Sequence, residues 1–208
     1  MKIKLKSIAA LSGLLAAVTG ISANTLPNPL GENYFGFGAG YGWISGTDLD
    51  GWTVGTGLNH NIQSGPDLGM DLSFSYRYAR LTDSPLRATG HEIAGSYVFF
   101  TETSGVKPFL SLDLSYTWAR ARMRGFSTRD NSWQWGFTGG AEFAVGEFTI
   151  TPFLGWTRDQ GGDKESNWFG GVNGHYWLSD TMGLGLGYHV TEGPNRSHTV
   201  FATVGFRY

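Results

Sequence analysis

The sequence predicts an all-β protein in which about ten antiparallel strands follow one another up and down and close into a barrel, with eight strands as the alternative. The first observation is a period of two, since apolar and polar residues alternate in segments that recur at intervals of roughly 15 to 20 residues. The second is the composition: 32 Gly, 8 Trp, 9 Tyr and 14 Phe accompany only 15% charged residues. The third is the length of 208 residues, which lies within the range of one all-β domain.

Each alternating segment is predicted to be a strand with one apolar face and one polar or small face. In the first segment Phe35, Phe37 and Tyr41 share one face, and glycines occupy the other. A glycine face suits a narrow barrel interior, where strands approach closely. The predicted strands are 33–44, 51–63, 68–81, 88–100, 106–122, 132–145, 147–158, 167–178, 181–191 and 199–208.

The start of the chain is predicted to be a cleaved signal peptide, residues 1–23. Lys2, Lys4 and Lys6 form a basic region, an apolar stretch follows at 8–18, and 21–23 is a suitable cleavage site. The apolar stretch is too short for a transmembrane helix, which needs about 20 apolar residues. Residues 24–32 are predicted to be a poorly ordered periplasmic lead, and residues 33–208 the barrel domain.

The aromatic content favours a transmembrane barrel over a water-soluble one. A soluble domain would have to bury these aromatic side chains or expose them at a cost. A barrel in lipid places them in an outer apolar band with aromatic girdles. The absence of cysteine excludes a lipoprotein anchor, disulfides and thiolate chemistry. Without the signal, 12 basic and 17 acidic residues give a formal charge of −5, which argues against nucleic-acid binding.

The last strand ends the chain on an aromatic residue. Only Phe201 interrupts its alternation. Such a strand, in a chain that begins with an export signal, resembles the C-terminal assembly signal of bacterial outer-membrane β-barrels. The residues on its apolar face, which form this signal, are Val200, Ala202, Val204, Phe206 and Tyr208.

The whole pattern of residues 33–208 resembles the small outer-membrane barrels of the opacity-protein type. The resemblance implies a place in the outer membrane of a Gram-negative-type bacterium, contact with membrane lipid and lipopolysaccharide, and handling by the barrel-assembly machinery. Members of this broad group are variously adhesins, structural barrels and small pores. An even strand count puts both termini in the periplasm, and the connections after odd-numbered strands, which carry more charge and are in several cases longer, are expected outside.

Seven charged residues have the inward parity of their strands. If the hairpin around 84–85 is symmetric, Arg77 faces Glu92 inside the barrel. Two interpretations stay open: an ion-pair network that fills a small lumen, or a gate that selects solutes. The residues of this predicted lumen charge network are Asp71, Arg77, Glu92, Lys107, Asp113, Glu142 and Arg207.

Three arginines continue the outward face of the fifth strand beyond Tyr116 and Trp118. Arg120, Arg122 and Arg124 are therefore expected above the outer aromatic girdle. Lipopolysaccharide phosphates lie at that height, and the arginine side chain binds phosphate in a bidentate manner. The alternative is a solvated loop with ordinary charges.

Catalysis is not expected. His189 and His198 lie near the predicted outer rim, but neither matches the serine and glutamate spacing of lipid A deacylases or the acid and histidine pairs of outer-membrane proteases. No closely spaced ligand cluster suggests a metal, and no cofactor is expected. The sequence favours a structural or surface-contact barrel of the envelope. The alternatives are a narrow pore for small solutes and a lipid- or peptide-hydrolysing enzyme at the outer rim, and no external partner is indicated.

Overall fold

The computed structural model describes residues 29–65, 67–83, 86–123, 126–161, 166–192 and 196–208. The predicted signal peptide and residues 24–28 of the predicted lead lie outside these ranges. Within them, no helix is long and apolar enough to cross a membrane. The strands are β1 (Tyr34–Ile44), β2 (Asp50–Gln63), β3 (Gly69–Asp83), β4 (Leu86–Phe100), β5 (Val106–Met123), β6 (Phe126–Val145), β7 (Phe148–Asp159), β8 (Ser166–Trp177), β9 (Met182–Thr191) and β10 (Ser197–Arg207).

The ten strands form one closed antiparallel barrel. Each strand pairs with its neighbours in the sequence, and β1 pairs with β10 from Tyr34 opposite Arg207 to Ile44 opposite Ser197. Closure satisfies the backbone N–H and C=O groups that an open sheet edge would leave unpaired. The prediction of an all-β up-and-down barrel is confirmed with ten strands, and the alternative of eight is wrong.

The predicted apolar face points outward around the barrel. The outward side chains Leu112 and Trp133 are 55% and 53% exposed, whereas the inward side chains of their neighbours are buried. On β5 the apolar outward face runs from Pro108 to Trp118. This span is about 33 Å along the strand and about 25 Å along the barrel axis at the usual tilt, which matches the apolar band of a membrane barrel.

Phe201, the exception in the last strand, points inward. Its ring packs against His189 with 4.5 Å between ring centroids. It also covers Gly187, where an added Cβ would overlap the Phe201 ring. The break in alternation is therefore a core contact: a bulky ring fills space that an inward glycine leaves.

The β5–β6 hairpin is longer than the sequence pattern predicts. The predicted strands end at 122 and begin again at 132, but β5 and β6 continue pairing up to Met123 opposite Phe126. The long connection expected after the fifth strand is therefore wrong. Beyond the apolar band the outward face of a hairpin no longer meets lipid, so the apolar alternation disappears while the backbone ladder continues.

Candidate functional site

The end of the barrel at which β1 begins and β10 ends is filled by residues 29–33, here called the N-terminal segment. Leu30 is only 4% exposed. Its N–H donates to Glu142 Oε2 at 3.1 Å, and its carbonyl accepts a hydrogen bond from Lys107 Nζ at 2.9 Å. Gly31 has a φ of +82°, a conformation that favours glycine. The last residues of the predicted lead therefore lie inside the barrel mouth.

Asp71 is the most heavily hydrogen-bonded carboxylate of this mouth. It is fully buried. Its Oδ2 accepts hydrogen bonds from Gly31 N at 2.8 Å and Asn59 Nδ2 at 3.0 Å, and its Oδ1 accepts one from Asn61 Nδ2 at 2.7 Å. A buried carboxylate with three such donors is well compensated for its loss of hydration. Asp71 thus joins the N-terminal segment to β2 and β3.

Arg207 ties the N-terminal segment to the last strand. Its Nε and Nη2 donate to the two carboxylate oxygens of Glu32 at 2.9 and 2.8 Å. Its guanidinium lies 3.7 Å from the ring centroid of Trp177, and Nη1 donates to the carbonyl of Asp180 at 3.1 Å. Sequence analysis missed Glu32 as the acidic partner because it assigned this residue to the lead. Its position directly before the first strand was the available signal.

The remaining predicted lumen charges lie farther from this mouth. Arg77 pairs with Glu92 in the β3–β4 register that a symmetric hairpin predicts, and both side chains are buried. The Asp113 carboxylate accepts hydrogen bonds from Ser111 Oγ at 3.1 Å and Thr138 Oγ1 at 2.9 Å. The structure therefore divides the seven charges: Asp71, Lys107, Glu142 and Arg207 contact the N-terminal segment, and the other three lie in the body of the lumen.

Aromatic and histidine side chains of β7, β8 and β9 pack together in another part of the lumen. The His175 ring packs edge-on against Trp177 with centroids 4.5 Å apart, and His189 packs against Phe153 at 4.9 Å. His189 Nε2 lies 2.9 Å from Asn173 Oδ1. Both histidines are 2% exposed, so they belong to the packed interior.

An apolar cluster occupies the lumen at the end opposite the N-terminal segment. Its members are at most 5% exposed. Because these residues are aliphatic and in mutual contact, they shield one another from water on the side of the lumen formed by β1, β3, β4 and β5. The cluster consists of Ile44, Ala79, Leu81, Ala88 and Ala121.

His198 belongs to the outer aromatic girdle. It stacks on Trp43 with an interplanar angle of 10°, and its two ring nitrogens lie 2.8 Å from Tyr188 OH and 2.9 Å from Ser45 Oγ. A second arrangement of the same kind involves His91, which stacks on Trp118 at 6°.

In this second arrangement, Tyr76 OH lies 2.8 Å from His91 Nδ1. The described contacts of His91 include no serine hydroxyl. Since the tyrosine, histidine and tryptophan recur without the serine, girdle packing is sufficient to account for them.

The predicted outer arginines are part of a larger group. Arg120 and Arg122 lie on the outward face of β5, and Arg124 falls outside the described residues. Arg120 pairs with Arg129 on β6 and with Thr89 on β4, and Arg122 pairs with Arg87. Sequence analysis missed Arg129 because it placed residues 123–131 in a loop. A groove of about 470 Å³ opens here, lined by Thr89, His91, Trp118, Ala119, Arg120, Arg129 and Asn131.

Within the described ranges, no group of three or more His, Asp or Glu side chains is arranged to hold a metal ion.

The chain matches no protein-family model. No curated protein is detectably similar to it in sequence.

Solved structures of autotransporter barrels share its fold. The β-domain of the Bordetella autotransporter BrkA aligns with a TM-score of 0.56 at 13% identity, covering 86% of this chain and 99% of that one. The translocator domain of NalP from Neisseria meningitidis aligns with a TM-score of 0.55 at 12% identity, covering 98% of both chains. The transport unit of AIDA-I from Escherichia coli gives 0.52 at 10% identity, covering 96% and 97%. At such low identities the similarity concerns the fold alone: this chain has the fold of an outer-membrane β-barrel.

Proposed function

We propose that this chain is a closed, non-catalytic barrel of the bacterial outer membrane, with a structural or surface-contact role in the cell envelope. The start of β1 and the end of β10 lie at one end of the barrel, and the proposal places that end in the periplasm.

The observation that carries the proposal is the burial of inward side chains at successive levels of the lumen. Asp71 is 0% exposed near the N-terminal segment, Glu92 is 1% exposed in the middle, and Leu81 is 1% exposed at the other end. Side chains that line a water-filled channel stay hydrated, whereas those of a narrow barrel can fill its interior. Burial of the inward side chains of β3 and β4 at three successive levels favours a closed barrel over the narrow-pore alternative.

Conductance tests this proposal directly. We expect the refolded full chain to show no discrete openings in a planar bilayer. The Arg77→Ala variant should also be silent, because the N-terminal segment and the apolar cluster still close the lumen on either side of the cavity that it creates. Insertion is checked for both proteins by the shift in electrophoretic mobility on heating. Discrete openings in the wild type would support a pore, and openings confined to the variant would show that Arg77 alone closes the lumen.

The absence of catalysis is a separate part of the proposal. Among the described residues, Ser45 and His198 are the pair that most resembles a nucleophile hydrogen-bonded to its general base. The other nitrogen of His198 faces a tyrosine hydroxyl rather than a carboxylate, and the girdle around His91 repeats the arrangement without the serine.

We therefore expect no modification of Ser45 by a fluorophosphonate probe, as measured by mass spectrometry of the refolded protein. The His198→Gln variant is the matched control. Labelling of Ser45 in the wild type that is lost in this variant would support the hydrolase alternative.

A further inference from the structure

Five arginines on four neighbouring strands point outward near the end of the barrel opposite the N-terminal segment. In the register, Arg80 pairs with Thr89, which pairs with Arg120, which pairs with Arg129. With neighbouring strands about 4.8 Å apart, these three arginines lie along a line of about 15 Å. Arg87 and Arg122 form a second pair two residues farther along their strands. This outer arginine cluster consists of Arg80, Arg87, Arg120, Arg122 and Arg129.

Among the described side chains, no member of the cluster forms an ion pair. The ion pairs that the described residues do form involve Lys107, Arg196 and Arg207. Asp130, beside Arg129, has the inward parity of β6. Like charges directly opposite one another on neighbouring strands are destabilising, and the cluster contains two such pairs, Arg120 with Arg129 and Arg87 with Arg122. An anion from outside the chain would relieve both.

Arg120 carries a hydrogen-bond donor that has no partner in the described part of the chain. This donor is its Nε, which is buried. The same side chain lines the groove of about 470 Å³ together with Arg129, Thr89 and Asn131. Two guanidinium groups, a hydroxyl and an amide around one groove match the several acceptor oxygens of a phosphate group.

The surface next to the cluster is that of a lipid site. Trp118 lines the groove directly beside Arg120, and Tyr116, Leu114 and Leu112 continue the outward face of β5 below it. Two residues along a strand correspond to about 6.6 Å, so the guanidinium groups lie immediately above the aromatic girdle. A lipid can place its phosphate at the arginines and its acyl chains along the apolar band, whereas a free anion would contact only the arginines.

We propose that the outer arginine cluster binds the phosphorylated headgroup of lipopolysaccharide, with Arg120 and Arg129 as the central pair. The inference rests on the proposed outer-membrane location and adds a specific lipid site to it. The lipid site does not depend on whether the lumen conducts. The conductance experiment can therefore contradict the closed barrel, and the binding experiment the lipid site, each without affecting the other.

The test is calorimetric titration of the refolded full chain in detergent micelles with purified lipopolysaccharide. We expect dephosphorylated lipopolysaccharide to bind at least about tenfold more weakly, because charge-assisted hydrogen bonds to phosphate are lost. The R120Q/R129Q double variant should lose about tenfold or more in affinity for the phosphorylated form. Its barrel should remain folded, since both side chains lie on the outer surface, and single R129Q provides the test if the double variant does not fold.

The matched control is Arg196→Gln. Arg196 is 54% exposed, lies between β9 and β10 on the far side of the ring, and pairs with Glu192. Its replacement should change the affinity less than twofold. Equal binding by the double variant, or equal binding of dephosphorylated lipopolysaccharide, would overturn the proposal. Inorganic phosphate that competes as strongly as the lipid would show a free-anion site instead and overturn the assignment to lipid.

Discussion

Replacing Asp71 by alanine is expected to lower the free energy of unfolding by about 3 kcal/mol and to release the N-terminal segment from the barrel mouth. The substitution leaves the donors Gly31 N, Asn59 Nδ2 and Asn61 Nδ2 without the carboxylate that accepts their hydrogen bonds. Each buried donor without an acceptor costs about 1 to 3 kcal/mol, and water that enters the mouth offsets part of this cost. Urea unfolding in detergent micelles measures the stability.

Hydrogen exchange of the Gly31 amide reports the second part of this prediction. The amide should exchange faster in Asp71→Ala than in the wild type, because its acceptor has been removed. The control is Asp113→Ala, which removes a buried carboxylate bound by Ser111 and Thr138 and away from the N-terminal segment. In that variant Gly31 should stay protected. Equal protection of Gly31 in all three proteins would mean that Asp71 does not hold the segment.

Replacing Gly205 by alanine is expected to destabilise the barrel by about 3 kcal/mol. An added Cβ at Gly205 would overlap the Tyr34 ring. Tyr34 is 1% exposed and packs edge-on against His175 and Trp177, with ring centroids 5.7 and 6.0 Å away, so it has little room to move. The strain falls at the β1–β10 pair that closes the barrel. The measurement is again urea unfolding in micelles, together with the yield of refolded protein.

Two further variants separate this steric effect from the general cost of replacing a strand glycine. Gly95 points outward, and an added Cβ there would make only ordinary contacts at 3.6 Å with the Phe74 ring, so Gly95→Ala should cost less than about 0.5 kcal/mol. In a double-mutant cycle, Tyr34→Ala should remove most of the cost of Gly205→Ala. Additive effects of the two substitutions would contradict the clash as the cause.

The two-residue period was enough to predict which face of nearly every strand meets lipid. Leu112 and Leu114 point outward, and Ser111 and Asp113 point inward, as their alternation indicates. The period carries this information because successive side chains of a strand point to opposite sides whatever the strand pairs with. The same signal predicted about ten strands, since each membrane crossing needs its own apolar stretch, and it left eight as the alternative.

The ends of the strands were predicted less well. The polar residues 127–131 look like a loop, yet they pair with β5, and this error hid Arg129 from the predicted phosphate site. Backbone pairing beyond the lipid needs no apolar face, so it leaves no periodic signal in the sequence. The members of the outer arginine cluster come together only through the registers of three strand pairs, β3–β4, β4–β5 and β5–β6, which the sequence does not show.

By itself, then, the sequence determined the fold class and the inward or outward parity of the strand residues, because both follow from local alternation, whereas the structure decided between ten strands and eight. Only the tertiary structure decided what fills the lumen. Glu32 binds Arg207 across 175 residues of sequence, and Phe201 turns inward to cover Gly187. The first contact exists because closing the ring brings β1 against β10, and the second because the β9–β10 register sets Phe201 opposite Gly187 in a narrow interior that must be packed, and neither condition is written in any one segment.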